Sequence, residues 1–255
     1  MTERVGSPEV RVLASADAAV PLLLDEVRAA LANTRRPLIS FATGGTFTAF
    51  LRALAVELDS GRVSPTGFLA THLDEYVGFL PEQRGGMVDE LGAACPPLHG
   101  MLARGTFLPV PPDGGDASLR AHEDRLRRAG GVDLQFLGIG RNGHLAFNEP
   151  GTALDLGFHV ATLAMATRDD ARQRFAPDEP PRSAVTAGLA TILASKRIVL
   201  CAFGRRKADA VRTMLAAEVA PTCPASVLRR HGNVCVLLDR QAASGLGGVV
   251  GPAFA

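Results

Sequence analysis

Seven short runs, Val10-Leu13, Leu38-Ala42, Gly67-Leu73, Thr106-Val110, Leu134-Ile139, Ile198-Phe203 and Val234-Leu238, read as strands, and several are apolar at every position. A strand with one wet face alternates apolar and polar residues, so an unbroken apolar strand has to be covered on both faces. Between these runs, Ala16-Ala32, Thr46-Leu58, Ser118-Ala129 and Lys207-Ala217 space their apolar residues with helical periodicity. Strands alternating with helices specify a doubly wound α/β fold, a mostly parallel sheet with helices on both faces. The chain of 255 residues is long enough to bury a full core and reads as a single α/β domain over 1–255. The Pro/Gly-rich stretches Pro109-Gly115 and Asp178-Arg182 are loops too short to be domain linkers, and the small, Gly-rich end from Ser244 to Ala255 reads as a flexible tail.

Composition removes several classes of function. No segment reaches the roughly 18 uninterrupted apolar residues of a membrane helix, and Met1 to Pro8 lacks the basic-then-apolar layout of a secretory signal, so a cytoplasmic location is expected. A net charge of +1 gives no basic excess for nucleic acid, which leaves a small molecule as the expected partner. Cys95, Cys201, Cys223 and Cys235 are scattered without a Cys-x-x-Cys pair, which argues for free thiols over a zinc site or a disulfide framework. The basic residues are nearly all Arg, with Lys196 and Lys207 the only lysines.

In open parallel sheets ligands bind beyond the carboxyl ends of the strands, so the polar residues that follow a strand carry the functional information. After Phe41 come Ala42-Thr43-Gly44-Gly45-Thr46, where glycines let the backbone approach a ligand and the N–H groups and hydroxyl of an opening helix suit phosphate. The same residues also fit an ordinary strand-helix turn with Thr46 as N-cap. Asp74-Glu75-Tyr76, directly after the run ending in Leu73, sets two carboxylates beside the only Tyr; it fits either a catalytic base or a solvated turn capped by Asp74. Gly138-Ile139-Gly140-Arg141-Asn142-Gly143-His144 and on to Asn148-Glu149-Pro150 combine a glycine-rich bend with a His and a Glu, the means for proton exchange near neutral pH. No third glycine follows in register, so this is not the dinucleotide fingerprint. Arg174 and Lys207 are candidate phosphate partners, Lys207 more so because a cation at a helix start opposes the dipole unless an anion is bound.

Taken in order from about Pro37 to Ala243, these segments, with Pro224-Ala225-Ser226 and His231, resemble the glucosamine-6-phosphate deaminase family. That family shares a superfamily with 6-phosphogluconolactonases, which usually have Asp-Glu-Arg at the second segment and lack Phe-Asn-Glu-Pro. The resemblance implies that Gly44, Gly45, Thr46, Arg174 and Lys207 hold the substrate phosphate. It implies that His144, assisted by Glu149, opens the sugar ring, and that Asp74 shuttles a proton between C2 and C1. The implied outcome is loss of ammonia through an enolamine and release of fructose 6-phosphate, with no cofactor and no metal. Members of such families occur as monomers and hexamers, so a homo-oligomer is compatible with the resemblance.

The chain also departs from the pattern. Asn142, grouped here with the catalytic residues, stands where some members have an Asp, and an amide cannot titrate. Gly85-Gly86-Met87-Val88 replaces the usual Pro-x-Ser-Tyr, and Gly151 to Val160 lacks the basic residues with which allosteric members bind an acetylated sugar phosphate, so no such allostery is expected. Two alternatives stay open: an enzyme acting on galactosamine 6-phosphate or a phosphogluconolactone, and a non-catalytic sugar-phosphate sensor.

Overall fold

The computed structural model describes residues 8–247. In chain order its first half contains β1 (Glu9–Leu13), α1 (Ala19–Asn33), β2 (Leu38–Phe41), α2 (Thr48–Asp59), β3 (Leu69–His72), β4 (Asp74–Tyr76), α3 (Met87–Ala94), α4 (Pro96–Ala103), β5 (Phe107–Leu108) and α5 (Asp116–Arg128). The second half contains β6 (Leu134–Gly138), β7 (His159–Thr162), α6 (Met165–Phe175), β8 (Ser183–Thr186), α7 (Leu189–Leu193), β9 (Arg197–Ala202), α8 (Ala208–Ala216) and β10 (Val234–Asp239).

The main sheet is seven-stranded, in the order β1-β10-β9-β6-β2-β3-β5, and every pairing in it is parallel. All of Leu38-Ile39-Ser40-Phe41 is buried, so both faces of β2 are covered by helices, as its apolar sequence requires. From β2 the chain proceeds to β3 on one side, while β6 leads to β9 and β10 on the other. The reversal lies between β2 and β6, which makes their carboxyl ends the topological switch point of the sheet. Aromatic packing fixes the floor there: Phe136 of β6 stands 5.9 Å from Phe41 of β2 and 4.9 Å from Phe50 of α2, ring centroid to centroid. Contacts of that kind add about 0.5–1.5 kcal/mol each beyond the area they bury.

The second sheet is small and antiparallel, in the order β4-β8-β7. It overturns the expectation of a solvated turn at Asp74-Glu75-Tyr76, because these residues form a strand paired with β8 and all of them are buried. The chain passes from β3 to β4 through Leu73 alone, so main-sheet pairing gives way to small-sheet pairing within one residue. The expected helix over Thr46-Leu58 begins two residues later, at Thr48, and Thr46 is not its N-cap. At the far end, where the tail is expected from about Ser244, Ser244 and Gly245 belong to a short helical turn over Ala242–Gly245 and Leu246 is buried. Residues 248–255 of that tail, and residues 1–7 of the N-terminal reading, lie outside the described residues. The four cysteines are free and buried. Among the described residues no helix is long and apolar enough to cross a membrane.

Candidate active site

A cavity of about 340 Å³ opens at the switch point, walled by the segments that leave β2, β3, β6 and β9 and roofed by α6. It brings together Gly44, Gly45, Thr46, Asp74, His144, Arg174 and Lys207 from distant parts of the sequence.

The β2 exit is the anion-binding candidate. Gly44 adopts φ +87, a left-handed conformation that side chains other than glycine rarely take. Its carbonyl accepts from Phe47 N at 2.9 Å and from Thr48 Oγ1 at 3.3 Å, which folds the turn so that Gly45 and Thr46 keep N–H groups with no hydrogen bond among the described residues. Lys207, just ahead of α8, is half-buried and donates to the Ile139 carbonyl at 2.7 Å, while burial lowers its pKa. Arg174 on α6 pairs with Glu90 at 2.9 Å, and the other oxygen of Glu90 accepts from Gly44 N at 3.0 Å.

Asp74 and its neighbours form the second wall. Burial, with Glu75 and Glu90 adding and Arg174 opposing, raises the Asp74 carboxyl to about 8. Glu75 is structural. Its carboxylate accepts from Tyr76 N and Met87 N at 2.9 Å and from Val88 N at 3.1 Å, capping α3 and clasping it to β4. A Cβ at Gly86 would lie 3.2 and 3.3 Å from the two Glu75 oxygens, so the departure at Gly85-Gly86 makes room for the clasp. His72 is held neutral, its pKa lowered to about 3 chiefly by burial, with Nε2 accepting from Val110 N at 2.8 Å.

The β6 exit presents His144. A Cβ on Gly140 would sit 2.3 Å from the imidazole, so only glycine allows this ring position, and one on Gly143, at φ +85, would meet Cys223 Sγ at 2.7 Å. Pro224-Ala225-Ser226 buttresses the bend, with Ala225 N donating to Gly143 O at 2.9 Å. His231 is elsewhere, against the Ser195 carbonyl at 2.6 Å, and belongs to the scaffold. Beyond the bend, Ala146 takes φ 51, a strained conformation over-determined by buried Asn148, whose amide donates to Leu145 O at 2.9 Å and Ala187 O at 2.8 Å.

Asn142 and Glu149 stand behind His144 and do not line the cavity. Asn142 accepts from His144 N at 3.2 Å and donates Nδ2 to Glu149 Oε2 at 2.8 Å. That oxygen is 3.6 Å from His144 Nδ1, close enough for electrostatic attraction but beyond a formed hydrogen bond. Thr167 of α6 donates its hydroxyl to Glu149 Oε1. Burial alone would raise Glu149; His144, Thr167 and Asn142 outweigh it and hold the carboxyl at about 2. Asn142 therefore orients and cannot exchange protons.

Sequence reasoning missed Glu90, Thr167 and the Arg141–Asp170 pair at 2.7 Å that also ties α6 to the β6 exit. Glu90 lies just past the Gly85-Val88 departure, on a helix, α3, that the sequence reading did not identify. For Thr167 no local signal exists, because its partner is 18 residues away. No group of three or more His, Cys, Asp or Glu side chains among the described residues is placed to hold a metal ion.

Comparison with known proteins gives a consistent picture. The family model described as glucosamine-6-phosphate isomerases/6-phosphogluconolactonase matches residues 13–236. A glucosamine-6-phosphate deaminase of Beutenbergia cavernae is 37% identical over 250 residues, covering 93% of this chain and 92% of its own. One from Pediococcus pentosaceus is 40% identical over 215 residues, covering 80% and 85%. Among solved structures, a monomeric glucosamine-6-phosphate deaminase superposes with TM-score 0.81 at 32% identity over 93% of this chain and 99% of its own. The 6-phosphogluconolactonase from Trypanosoma cruzi shares the fold, with TM-score 0.76 at 17% identity over 96% and 99% of the two chains.

Proposed function

The chain belongs to the family of glucosamine-6-phosphate isomerases and 6-phosphogluconolactonases, and from that premise we propose that it is a glucosamine-6-phosphate deaminase, converting glucosamine 6-phosphate and water to fructose 6-phosphate and ammonia within a single α/β domain. The observation that carries this reading is the pairing, in one cavity, of a carboxyl raised to about 8 with an imidazole backed by a carboxylate held at about 2. Two titratable groups driven apart in this way divide the roles of base and charge stabiliser between them.

In the proposed sequence the phosphate sits on the Gly44-Gly45-Thr46 turn with Lys207 and Arg174. His144 moves the proton between the ring oxygen and O1, and Glu149 stabilises the imidazolium formed in transit. Asp74 takes the C2 proton and delivers it to C1. In the empty site Asp74 is largely protonated at neutral pH; the substrate's own ammonium, attached at C2, favours the ionised base where it is needed. Water then adds to C2 as ammonia leaves. Identity to the deaminases above 30%, against 17% to the lactonase, favours deamination over lactone hydrolysis. A cytoplasmic setting goes with this reading, since the substrate is a charged metabolite and the four thiols are free.

The test is incubation with glucosamine 6-phosphate, following ammonia and fructose 6-phosphate. Equal yields of both are expected, with Asp74→Asn lowering kcat by about 10³-fold and His144→Gln by about 10²-fold, the range of general acid–base catalysis. No turnover, but turnover of galactosamine 6-phosphate or a phosphogluconolactone, would replace the substrate; none with any of them would leave the sensor reading.

A further inference from the structure

The anion-binding turn already holds an anion of the chain's own. Glu90, in the first turn of α3, engages Gly44 N through Oε1 at 3.0 Å and Arg174 Nη1 through Oε2 at 2.9 Å. These are two of the donors that a phosphate on the turn would use. Among the described residues the remaining donors are not engaged by any carboxylate: Lys207 contacts a neutral carbonyl, and Gly45 and Thr46 offer N–H groups without a partner. The first turn of α3 is seated on the β2 exit, with Thr43 Oγ1 3.1 Å from Met87 Sδ, so the position of Glu90 follows from how the helix packs. The side chain is partly exposed, but Oε2 itself is buried and meets Arg174 as an ion pair without a formed hydrogen bond, so the hold on Arg174 is the looser of the two contacts.

We infer that Glu90 is a specificity-determining residue: an internal carboxylate that occupies part of the phosphate cradle and is exchanged for the substrate phosphate on binding. The inference rests on the phosphate site of the proposed function. Exchanging one carboxylate for another gains nothing, whereas a phosphate monoester brings nearly two charges and three acceptor oxygens to the same donors and to Lys207. The exchange therefore selects for a doubly charged oxyanion at the far end of the sugar and disfavours sugar acids. It also frees Glu90 while retaining Arg174, and with it α6, over the filled cavity.

The experiment is titration of the full chain with inorganic phosphate by calorimetry, together with KM for glucosamine 6-phosphate, in wild type, Glu90→Gln and Glu90→Ala. Removing the internal competitor is expected to tighten phosphate and lower KM on the order of tenfold, with kcat changing far less, the pattern of a ground-state binding effect. Glu90→Gln is nearly isosteric and keeps the test valid should Glu90→Ala not fold. Phosphate affinity and KM unchanged or weakened in the folded variants would overturn the inference while leaving the deaminase reading intact. Phosphate binding seen only in the variants supports it even without turnover. No phosphate binding in any of the three, with no turnover, overturns both.

Discussion

Two carboxyl groups serve this site, buried Asp74 in the cavity wall and half-buried Glu149 behind His144, and their surroundings push them in opposite directions. Asp74 sits at the junction of the two sheets, with Glu75 and Glu90 as like-charged neighbours and only Arg174 in opposition, and is raised to about 8. Glu149 sits in the bend after β6, where His144, Thr167 and Asn142 together overcome its burial, and is held at about 2. Burial disfavours the charge in both places; the partners decide the outcome. One site can therefore keep a base that takes up a proton near neutral pH beside a charge that does not titrate.

The largest way to break this contrast, after the Asp74 and His144 substitutions, is pH. A base works only when ionised, so kcat/KM for the free enzyme should rise with pH through about 8 and fall about tenfold per unit below it, to roughly hundredfold lower at pH 6. An acid limb near pH 4 would show that Asp74 is an ordinary carboxylate. Next is Gly140→Ala, whose new methyl collides with the His144 ring. Displacing that ring should cost on the order of tenfold or more in kcat while leaving the Asp74 limb in place; unchanged kcat would mean that the ring position is not catalytic. The smallest effect is expected from Thr167→Val, which removes one donor from Glu149. The loss of one hydrogen bond to a charged group is expected to slow the reaction by about threefold to tenfold and raise the Glu149 pKa, readable by carboxyl titration in NMR. A Glu149 titration that does not move would shift the explanation of its low value to His144 and Asn142.

The two sheets differ in how far they could be read in advance. Strands such as β2, β9 and β10 are buried on both faces and announce themselves as apolar runs, which makes the architecture and its strand exits legible. The small sheet is built from Asp74–Tyr76, His159–Thr162 and Ser183–Thr186, too short and too polar to carry a period. The cap helix α6 buries only Ala171 and is tied down by Thr167, Asp170 and Arg174 to groups far along the chain, so no local pattern betrays it. The catalytic candidates were legible because each follows a legible strand. Their charge states were not, because those depend on Glu90 and Thr167, which reach the site only through tertiary packing.

The Glu75 clasp has a consequence for how the rim of this site can vary. By fixing Tyr76, Met87 and Val88 to one carboxylate, it pins both ends of the intervening segment 77–86. With the ends held, doubling the length of such a loop costs only about 0.6 kcal/mol of closure entropy. The middle of the segment, where Leu80 is 63% exposed, is thus open to lengthening and change of composition, whereas Gly85 and Gly86 are fixed by Phe175 and by the clasp itself.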